Sequence, residues 1–540
     1  MSPPRTSPRV YRALSLLAWT IVALSLLQVV LFGFGRDQGI YAVVGEAILD
    51  GKMPYRDAWD FKPPGIFLVY AAAQALFGKT MASVRILEAL GILAEVLAFR
   101  RLSRTLFGSR LAGLLGGALA ALIHAELEFW HTGQPESFGG VLGVLALLPV
   151  TGAGADPSGT DRDRLSAWAR AGVLFGAAFL MKPPLGGGAI VSAAYVGAAE
   201  FRRTRSPFRA VVPAFVMGAA SCLPIALTAL WFVERGAWPA LSWTLFEFTP
   251  GYTALGWHGS PAGLYWYGLG EALTEFSHVL PVALPFALVL PKIHSRERSG
   301  TALVLGIVLV HVAGIALQAK FFQYHYGATL PLLAFVAGLG LEKVFRYVSR
   351  VPVVSPGLIL AVLVVLVFLV SERVALRHNP GTFWERSWDR LTFLTTRSPS
   401  RETLDRKLYA VVDYSLDTDR RTARAVARLS EPEDSIFVWG FEPHVYWFSD
   451  RRPASRYVYD VPQRAVWGRE RARADLLEDL ARDPPKVIVV QHGDVFDFVT
   501  GNSFDSHQSL GGFPELASRL ISHYWLVRKV DDMDVFLRHE

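Results

Sequence analysis

Long apolar runs recur along the first 375 of the 540 residues, and they constrain the fold more than any other feature of the sequence. A helix needs about 20 apolar residues to cross roughly 30 Å of hydrocarbon. Runs of approximately this length predict spans at 13–33, 83–101, 110–128, 137–152, 168–181, 185–200, 209–233, 278–291, 301–319, 328–346 and 355–372. The chain is therefore predicted to be an α-helical polytopic membrane protein with about eleven spans, located in the cell (inner or plasma) membrane.

Charged residues are distributed unevenly between two parts of the chain. Overall, 52% of the residues are hydrophobic and 19% are charged, whereas soluble proteins carry about a quarter charged residues. Residues 376–540, unlike residues 1–375, have an ordinary soluble composition. We therefore predict a transmembrane domain over 1–375 and a soluble α/β domain over 376–540. The net charge of +7 comes mostly from short basic clusters between the apolar runs, so nucleic acid is not an expected partner.

The soluble domain alternates between helical and strand patterns. Amphipathic periodicity predicts helices at 417–429 and 469–481, and short apolar runs predict strands at 435–439, 486–490 and 535–538. No glycine-rich phosphate loop accompanies these elements, so nucleotide binding is not expected. The arginines of Asp450-Arg451-Arg452 and Arg456 suit either binding of an acceptor or phosphate or a solvated or membrane-facing basic patch, and the second interpretation is favoured.

Basic residues set the predicted orientation. The segment 63–78 is apolar but short, and if it lies at the outer interface rather than spanning, every basic cluster falls on the cytoplasmic side. Those clusters are Arg100, Arg101, Arg104 and Arg110; Arg162, Arg164 and Arg170; Arg202, Arg203, Arg205 and Arg209; Lys292, Arg296 and Arg298; and Lys343, Arg346 and Arg350. This arrangement places residues 34–82 and the α/β domain outside the cytoplasm.

The first outer loop contains the leading catalytic candidate. Apolar residues at helical spacing from Ile40 to Ile48 predict an amphipathic interfacial helix that ends near Gly51. Asp37 precedes them, and it suits either the N-cap of that helix or a general base at the membrane surface. The two interpretations are compatible, because a cap would fix the position of the carboxylate.

Two Lys-Pro-Pro turns are predicted on the same face of the membrane. The first follows the acidic-aromatic sequence Asp57-Ala-Trp-Asp60-Phe-Lys62, and the second begins at Lys182. A single lysine at such a place is typical of snorkelling. Two lysines held outward by stiff turns indicate an anion site, and we predict that Lys62 and Lys182 bind a donor phosphate.

Further polar residues of the predicted outer loops are candidates for the substrate site. They are Tyr55, Asp60, Glu136, His258, His325 and Tyr326. For Glu136 the alternative is a helix-start acid that interacts with the helix dipole, and for His325 it is an interfacial residue among aromatic rings. The spacing of acids and histidines does not match a metal signature, so neither a metal nor a cofactor is predicted.

Several of these motifs, in this order, resemble the glycosyltransferase C (GT-C) superfamily. They are Asp37, Gly51-Lys-Met-Pro54-Tyr55, Asp60-Phe61-Lys62-Pro63-Pro64, Arg85-Ile-Leu and Leu106-Phe107-Gly108, and the tail from Trp439 to Arg451 is also similar. The likeness is to bacterial relatives of protein O-mannosyltransferases and of lipid A aminoarabinose transferases. It is good over roughly residues 10–200 and extends only in hydropathy over 200–375.

The resemblance implies an inverting glycosyltransferase that uses a polyprenyl-phosphate-linked sugar at the outer face. It implies Asp37 as the base and Lys62 as the phosphate-binding residue, with a glycan, lipid or protein as acceptor and membrane lipids around it. Relatives often have two adjacent acids where this chain has Asp37-Gln38, and an Asp where it has Glu136. The chemistry agrees, because a phosphate leaves as a stable anion and needs cations rather than a second carboxylic acid.

Two other functions remain open from the sequence. One is a transporter or flippase of a lipid-linked glycan, and the other is a family member that binds the lipid-linked sugar without turnover. Transporters tend to show paired repeats and charges at mid-membrane. No such repeat is evident, and the polar residues gather on one predicted face, which favours the enzyme.

Overall fold

The computed structural model describes residues 8–156, 158–279, 295–348, 383–410 and 412–539. Its helices, numbered in chain order, are α1 Pro8–Val30, α2 Arg36–Leu49, α3 Gly65–Phe77, α4 Met81–Phe107, α5 Arg110–Glu126, α6 Glu128–His131, α7 Pro135–Thr151, α8 Asp161–Met181, α9 Gly188–Thr204, α10 Pro207–Glu234, α11 Trp238–Ser242, α12 Thr249–Leu255, α13 Pro261–Glu275, α14 Ser295–Leu317, α15 Leu330–Val348, α16 Phe383–Thr396, α17 Arg401–Tyr409, α18 Leu416–Arg428, α19 His444–Ser449, α20 Val461–Arg464, α21 Arg469–Arg482, α22 Asp497–Thr500, α23 Ser506–Ser509 and α24 Pro514–His523. The strands are β1 Ser435–Trp439, β2 Arg452–Pro453, β3 Val487–Gln491, β4 Tyr524–Val530 and β5 Met533–Arg538.

Most of the predicted spans coincide with described helices. The predicted spans 278–291 and 355–372 lie largely or wholly outside the described residues. Within the described part of the chain, three helices are both long and apolar enough to cross a bilayer: Tyr11–Val30, Pro207–Glu234 and Glu297–Leu317. The chain is thus largely helical with long apolar helices, and the count of eleven spans stays a prediction.

The residues form two compact units. The first contains 1–33, 81–228 and 259–387, and the second contains 34–80, 229–258 and 388–540. The predicted boundary at residue 375 falls in the segment 349–382, outside the described residues. The second unit includes the predicted first outer loop together with the sheet, so the α/β fold and the loop that holds Asp37 belong to the same body.

Small residues allow close helix packing in the first unit. A Cβ atom added at Gly338 of α15 would collide with the backbone oxygen of Ala112 in α5, so only glycine permits this approach. Beside this crossing, Phe335 stacks on Phe99 with ring centroids 4.6 Å apart. These contacts belong to one apolar core shared by α4, α5, α7 and α15.

The second unit is built on a five-stranded sheet of order β2-β1-β3-β5-β4. Strand β1 is parallel to β2 and β3, with Val438 paired to Val489, whereas β5 is antiparallel to β3 and to β4. Strands β1 and β3 are buried on both faces, as continuous apolar runs predict. The three predicted strands and both predicted helices of this domain are confirmed within a residue or two.

The orientation of this unit stays a prediction with a direct test. Eleven spans from a cytoplasmic N-terminus would leave the C-terminus outside the cytoplasm. We expect alkaline phosphatase fused after residue 540 to be active, because that enzyme needs the oxidising exterior for its disulfides. A cytoplasmic reporter at the same position should be silent, and the reverse pattern would contradict the predicted outer face.

Candidate functional site

Asp37 lies in the first turn of α2 and does not cap it. The N-cap is Gly35, and its backbone N–H donates to the Gln38 side chain at 2.8 Å. The prediction of an Asp37 N-cap is therefore wrong, because the helix begins at Arg36, two residues earlier than an Asp37 cap would place it, and Gln38 closes its start. Ten of the fourteen residues of α2 are buried, so the predicted single apolar face is also wrong. Asp37 is one of the few side chains of this helix that is partly exposed.

Tyr55 is a fixed point of the loop that follows α2. Its φ of 67° is in the left-handed region, which non-glycine residues rarely adopt. The backbone N–H of Tyr55 donates to Ala58 O at 2.7 Å, and its hydroxyl donates to Lys62 O at 2.7 Å. The predicted substrate residue Tyr55 is fully buried, so it holds the Lys62 backbone in place instead of presenting its own hydroxyl.

Asp60 is buried beside a tyrosine from the C-terminal part of the same unit. The Tyr459 hydroxyl donates to Asp60 Oδ1 at 2.7 Å, and the Lys62 N–H donates to Oδ2 at 3.4 Å. Burial raises the pKa of the Asp60 carboxyl to about 6, against the opposing effects of Lys62 and of the Tyr459 hydrogen bond. The negative charge of Asp37 also raises the pKa of Asp60, so the two carboxylates interact electrostatically. Asp37, Asp60 and Lys62 therefore form one group of charges.

This buried carboxyl predicts a pH dependence of stability. The ordinary pKa is 3.8, so a raised value means that the folded state binds this proton more tightly than the unfolded state. The contribution of Asp60 is then fully present below about pH 4 and is lost as the pH rises through about 6. We expect Asp60→Asn to remove that loss and to stabilise the protein, relative to wild type, by about 1–3 kcal/mol above pH 6.

Thermal unfolding of the purified protein across this pH range measures the effect. The melting temperatures of wild type and Asp60→Asn should converge at low pH and separate as the pH rises. An amide oxygen can still accept the Tyr459 hydrogen bond, which makes the variant a close match. A constant difference across the range would contradict the assignment.

Glu136 and Lys182 form a pair in the first unit. Glu136 is in the first turn of α7, Lys182 follows α8, and their side chains form a salt bridge. The Lys182 ammonium also lies 5.7 Å from the centroid of the Tyr324 ring. Glu136 is only 1% exposed, and its Oε2 atom makes no hydrogen bond within the described residues. The structure thus gives Lys182 a buried carboxylate as partner, whereas Lys62 and Asp37 belong to the other unit.

The remaining predicted substrate residues have different environments. His325 is buried, and its Nδ1 lies 2.7 Å from Lys320 O, which fixes the ring. The ring of Tyr326 is buried edge-on against Phe276. His258 is exposed in the loop that follows α12. Of the predicted residues, the structure groups Asp37, Asp60 and Lys62, with Tyr55 in support, and separately pairs Glu136 with Lys182.

Sequence reasoning missed a buried polar network on α4. Arg85 is fully buried and donates to Glu88 at 2.8 Å, to Gly33 O at 2.7 Å and to Phe129 O at 2.8 Å. Glu88 in turn lies 3.0 Å from His124 Nε2. The network holds the chain around residues 128–133 against α4. Arg85 belongs to the Arg-x-Leu motif, but nothing in the sequence indicates its partners.

A second missed set lies next to Asp37. Arg36 is buried and forms a salt bridge to Glu442 at 2.8 Å, and Glu442 is fully buried beside His444. Glu442 and His444 belong to the tail motif that begins at Trp439. The predicted basic patch of the tail has acidic partners within the unit: Arg452 pairs with Asp483, and Arg456 with Asp479 at 2.8 Å. The missed set of the tail is therefore Glu442 and His444, and not its arginines.

The comparisons with known proteins agree with this architecture. The family of dolichyl-phosphate-mannose-protein mannosyltransferases matches residues 61–232. The apo crystal structure of ArnT from Cupriavidus metallidurans superposes with a TM-score of 0.58 at 16% identity, covering 97% of this chain and 96% of that one. This chain has the GT-C fold. The predicted resemblance to that superfamily is thereby confirmed at the level of the fold.

Further matches extend the set of similar structures. ArnT from the same organism bound to undecaprenyl phosphate superposes with a TM-score of 0.54 at 15% identity, over 97% of both chains. The oligosaccharyltransferase AglB from Archaeoglobus fulgidus, in complex with an inhibitory peptide and a dolichol-phosphate, has a TM-score of 0.42 and 14% identity, over 88% of this chain and 69% of that one. No curated protein sequence matches the chain.

Proposed function

We propose that the chain is a membrane glycosyltransferase. It moves a hexosyl or pentosyl group from a polyprenyl phosphate to a hydroxyl of a cell-surface glycan, lipid or protein, at the outer face of the membrane. The observation that carries this proposal is the group of charges in the second unit. Asp37 and Lys62 are partly exposed there, and the buried Asp60 interacts electrostatically with both.

The donor class is supported by what the similar proteins bind. The ArnT structure that superposes over 97% of this chain holds undecaprenyl phosphate, and the matching family is described by a dolichyl-phosphate donor. In this chain the Lys62 ammonium is a suitable partner for such a phosphate. Its backbone is fixed by the Tyr55 hydroxyl and by Asp60, so the base of the side chain is preorganised.

Asp37 serves as the general base in this proposal. The acceptor hydroxyl oxygen attacks the anomeric carbon, the bond from that carbon to the phosphate oxygen breaks, and the hydroxyl proton passes to the Asp37 carboxylate. Polyprenyl phosphate leaves as an anion, and Lys62 stabilises the charge that develops on it. One displacement inverts the anomeric configuration. Asp60 acts on this arrangement through its charge and through the Lys62 backbone, without touching the acceptor.

Mass spectrometry of envelope glycans tests the proposal in cells. A deletion strain should lack one hexose or pentose residue on a surface glycan, lipid or protein, and its polyprenyl-phosphate-linked sugar should accumulate. A strain that carries Asp37→Asn should show the same loss although the protein is present in the membrane. Unchanged glycans in both strains would overturn the proposal. Loss in the deletion strain with full rescue by Asp37→Asn would exclude Asp37 as the base, and turnover by the purified protein would then distinguish an enzyme with another base from a flippase, which shows none.

A further inference from the structure

Three side chains with metal-binding atoms meet inside the second unit, and the proposed glycosyl transfer uses none of them. Asp419 comes from α18, Glu442 from the loop after β1, and His444 from the start of α19. Their exposed fractions are 1%, 1% and 0%. Ionised side chains are almost never buried so completely unless they are paired or bind a metal. The cluster therefore needs a physical explanation.

The geometry of the cluster suits a single small cation. One ligand atom from each residue can be chosen so that all three lie within 4.8 Å of one another. His444 Nδ1 is 3.3 Å from Asp419 Oδ2 and 4.0 Å from Glu442 Oε2. Zinc bonds to nitrogen and oxygen are about 2.0–2.2 Å long, so tetrahedral ligands stand roughly 3.3–3.6 Å apart. A small adjustment of the three side chains would bring them to that separation.

Hydrogen bonding leaves the facing atoms unsatisfied. Within the described residues, neither oxygen of Asp419, neither ring nitrogen of His444 and not Oε2 of Glu442 has a hydrogen-bond partner. More than nine in ten buried polar groups normally have one. The other oxygen of Glu442, by contrast, accepts from Arg36 and from Gln491. Three of these unsatisfied atoms, Asp419 Oδ2, Glu442 Oε2 and His444 Nδ1, are the ones that approach one another in the cluster, where a cation would bind them.

The charges around the cluster are also unbalanced. Two buried carboxylates, those of Asp419 and Glu442, face the single buried guanidinium of Arg36, whose other partner Asp413 is exposed. With His444 neutral, the buried set therefore carries one excess negative charge, and low-polarity surroundings penalise such uncompensated charge. A proton on His444 would neutralise it through a single N–H, whereas a metal cation would also bind one atom of each of the three side chains at once.

The ring of His444 is held so that its Nδ1 atom faces the carboxylates. The rings of Tyr414 and Phe448 lie nearly parallel to the imidazole, with centroids 5.9 Å and 6.0 Å away. Its Nε2 edge lies against Gly39 of α2, where an added Cβ atom would be only 2.9 Å from Nε2. The absence of a side chain at Gly39 therefore lets the imidazole pack directly on the helix that carries Asp37.

We propose that Asp419, Glu442 and His444 bind one divalent transition-metal ion, of which Zn²⁺ is the best chemical match. Imidazole nitrogen and carboxylate oxygen are both zinc ligands, whereas Ca²⁺ and Mg²⁺ prefer oxygen ligands alone. The ion has a structural role. It holds Glu442 in place for Arg36 and supports His444 against Gly39, so it fixes the first turn of α2 on the sheet domain.

Zinc binding by the purified full-length protein tests this site without any assay of activity. The protein is stripped with a chelator and titrated with Zn²⁺ alone, and metal content is measured by mass spectrometry after desalting. We expect one Zn²⁺ per chain and a Tm that rises with Zn²⁺ concentration, because the ion binds the folded state. Co²⁺ should give visible absorption bands typical of nitrogen and oxygen ligands.

Variants assign the binding to this cluster. Asp419→Asn and His444→Gln should weaken Zn²⁺ binding at least about tenfold, as expected when a ligand is lost. Asp534→Asn is the matched control, because it removes the partner of the half-exposed His492 in the same unit and should leave binding unchanged. The proposal is overturned if the wild type takes up no stoichiometric Zn²⁺, or if both cluster variants bind it as the wild type does. If neither variant folds, the wild-type titration alone decides.

Discussion

Replacing Asp37 by Asn is expected to give a folded protein that binds its donor and turns over about 10²–10⁴-fold more slowly. The amide has nearly the shape of the carboxylate but cannot take a proton from the acceptor hydroxyl. The start of α2 should survive the change, because Gly35 and Gln38 close it and Asp37 does not. The loss should therefore appear in kcat, with little change in the affinity for the donor.

Turnover in a purified system with the native donor is the decisive measurement. Asp50→Asn is the matched control, because this exposed carboxylate lies at the other end of the same helix and outside the charge group. It should retain wild-type turnover. Loss of a general base slows turnover about 10²–10⁴-fold. If Asp37→Asn keeps more than about a tenth of the wild-type rate, the loss is too small for a general base, and the base must be another carboxylate.

Three other carboxylates, Asp57, Asp60 and Glu136, are the alternatives to Asp37, and their surroundings make each less suitable. Asp57 accepts from the Met53 N–H at 2.8 Å and pairs with Arg56 at 2.7 Å, so it has a structural role in the loop. Asp60 is fully buried, and Glu136 is paired with Lys182. Only Asp37 among these four combines partial exposure with a rigid helix, which is why the prediction is assigned to it.

Local patterns predicted the sheet well where both faces of a strand are buried. Strands β1 and β3 are continuous apolar runs between polar segments, and the sequence located both. Strand β4 was missed because it lies at the sheet edge, and five of its seven residues, from Trp525 to Lys529, are exposed. An edge strand needs no apolar period, so its sequence does not differ enough from that of a loop.

The helix that carries Asp37 shows a different limit of sequence reasoning. An acid just before an apolar period fits an N-cap, but it fits the first turn equally well, since both positions favour negative charge. The interpretation as an amphipathic helix failed because α2 packs on α3 and also on residues from the C-terminal part of the unit. Arg36 and Gln38 look like a solvated face in the sequence and are buried in the structure.

Partners that are distant in sequence account for most of what was missed. The Tyr459–Asp60 hydrogen bond joins residues 399 positions apart, and the Arg36–Glu442 pair joins residues 406 apart. A single sequence contains no signal for such pairs, because each residue is unremarkable within its own segment. The proposed metal ligands were missed for the same reason: Asp419 is too far from Glu442-x-His444 to form a recognisable spacing. The sequence was enough to predict Asp37, Asp60 and Lys62 as site residues, but the distant residues that hold them in place could not be predicted.

Replacing Lys62 by Met is expected to weaken binding of undecaprenyl phosphate about 10- to 150-fold, which corresponds to roughly 1.5–3 kcal/mol for a charge-assisted contact. The length and the apolar stem of the side chain are kept, while the contact of the ammonium with the Phe61 ring, 5.0 Å from its centroid, is lost with the charge. Folding should be near normal, because Lys62 is partly exposed and the bonds that fix this turn use its backbone. Binding is measured on purified protein in detergent at one fixed ionic strength.

Lys52→Met separates a phosphate contact from a general effect of positive charge. Lys52 is also partly exposed and lies in the same predicted outer loop, but it is outside the group formed by Asp37, Asp60 and Lys62. Its replacement by Met removes the same charge. Donor affinity should be unchanged in this control, and an equal loss in both variants would reduce Lys62 to a nonspecific attraction. Lys182→Met is a different experiment, because it leaves the buried Glu136 without its cation and should destabilise the protein. Only the double variant Lys182→Met/Glu136→Gln, which removes both charges, can show whether Lys182 also contributes to donor binding.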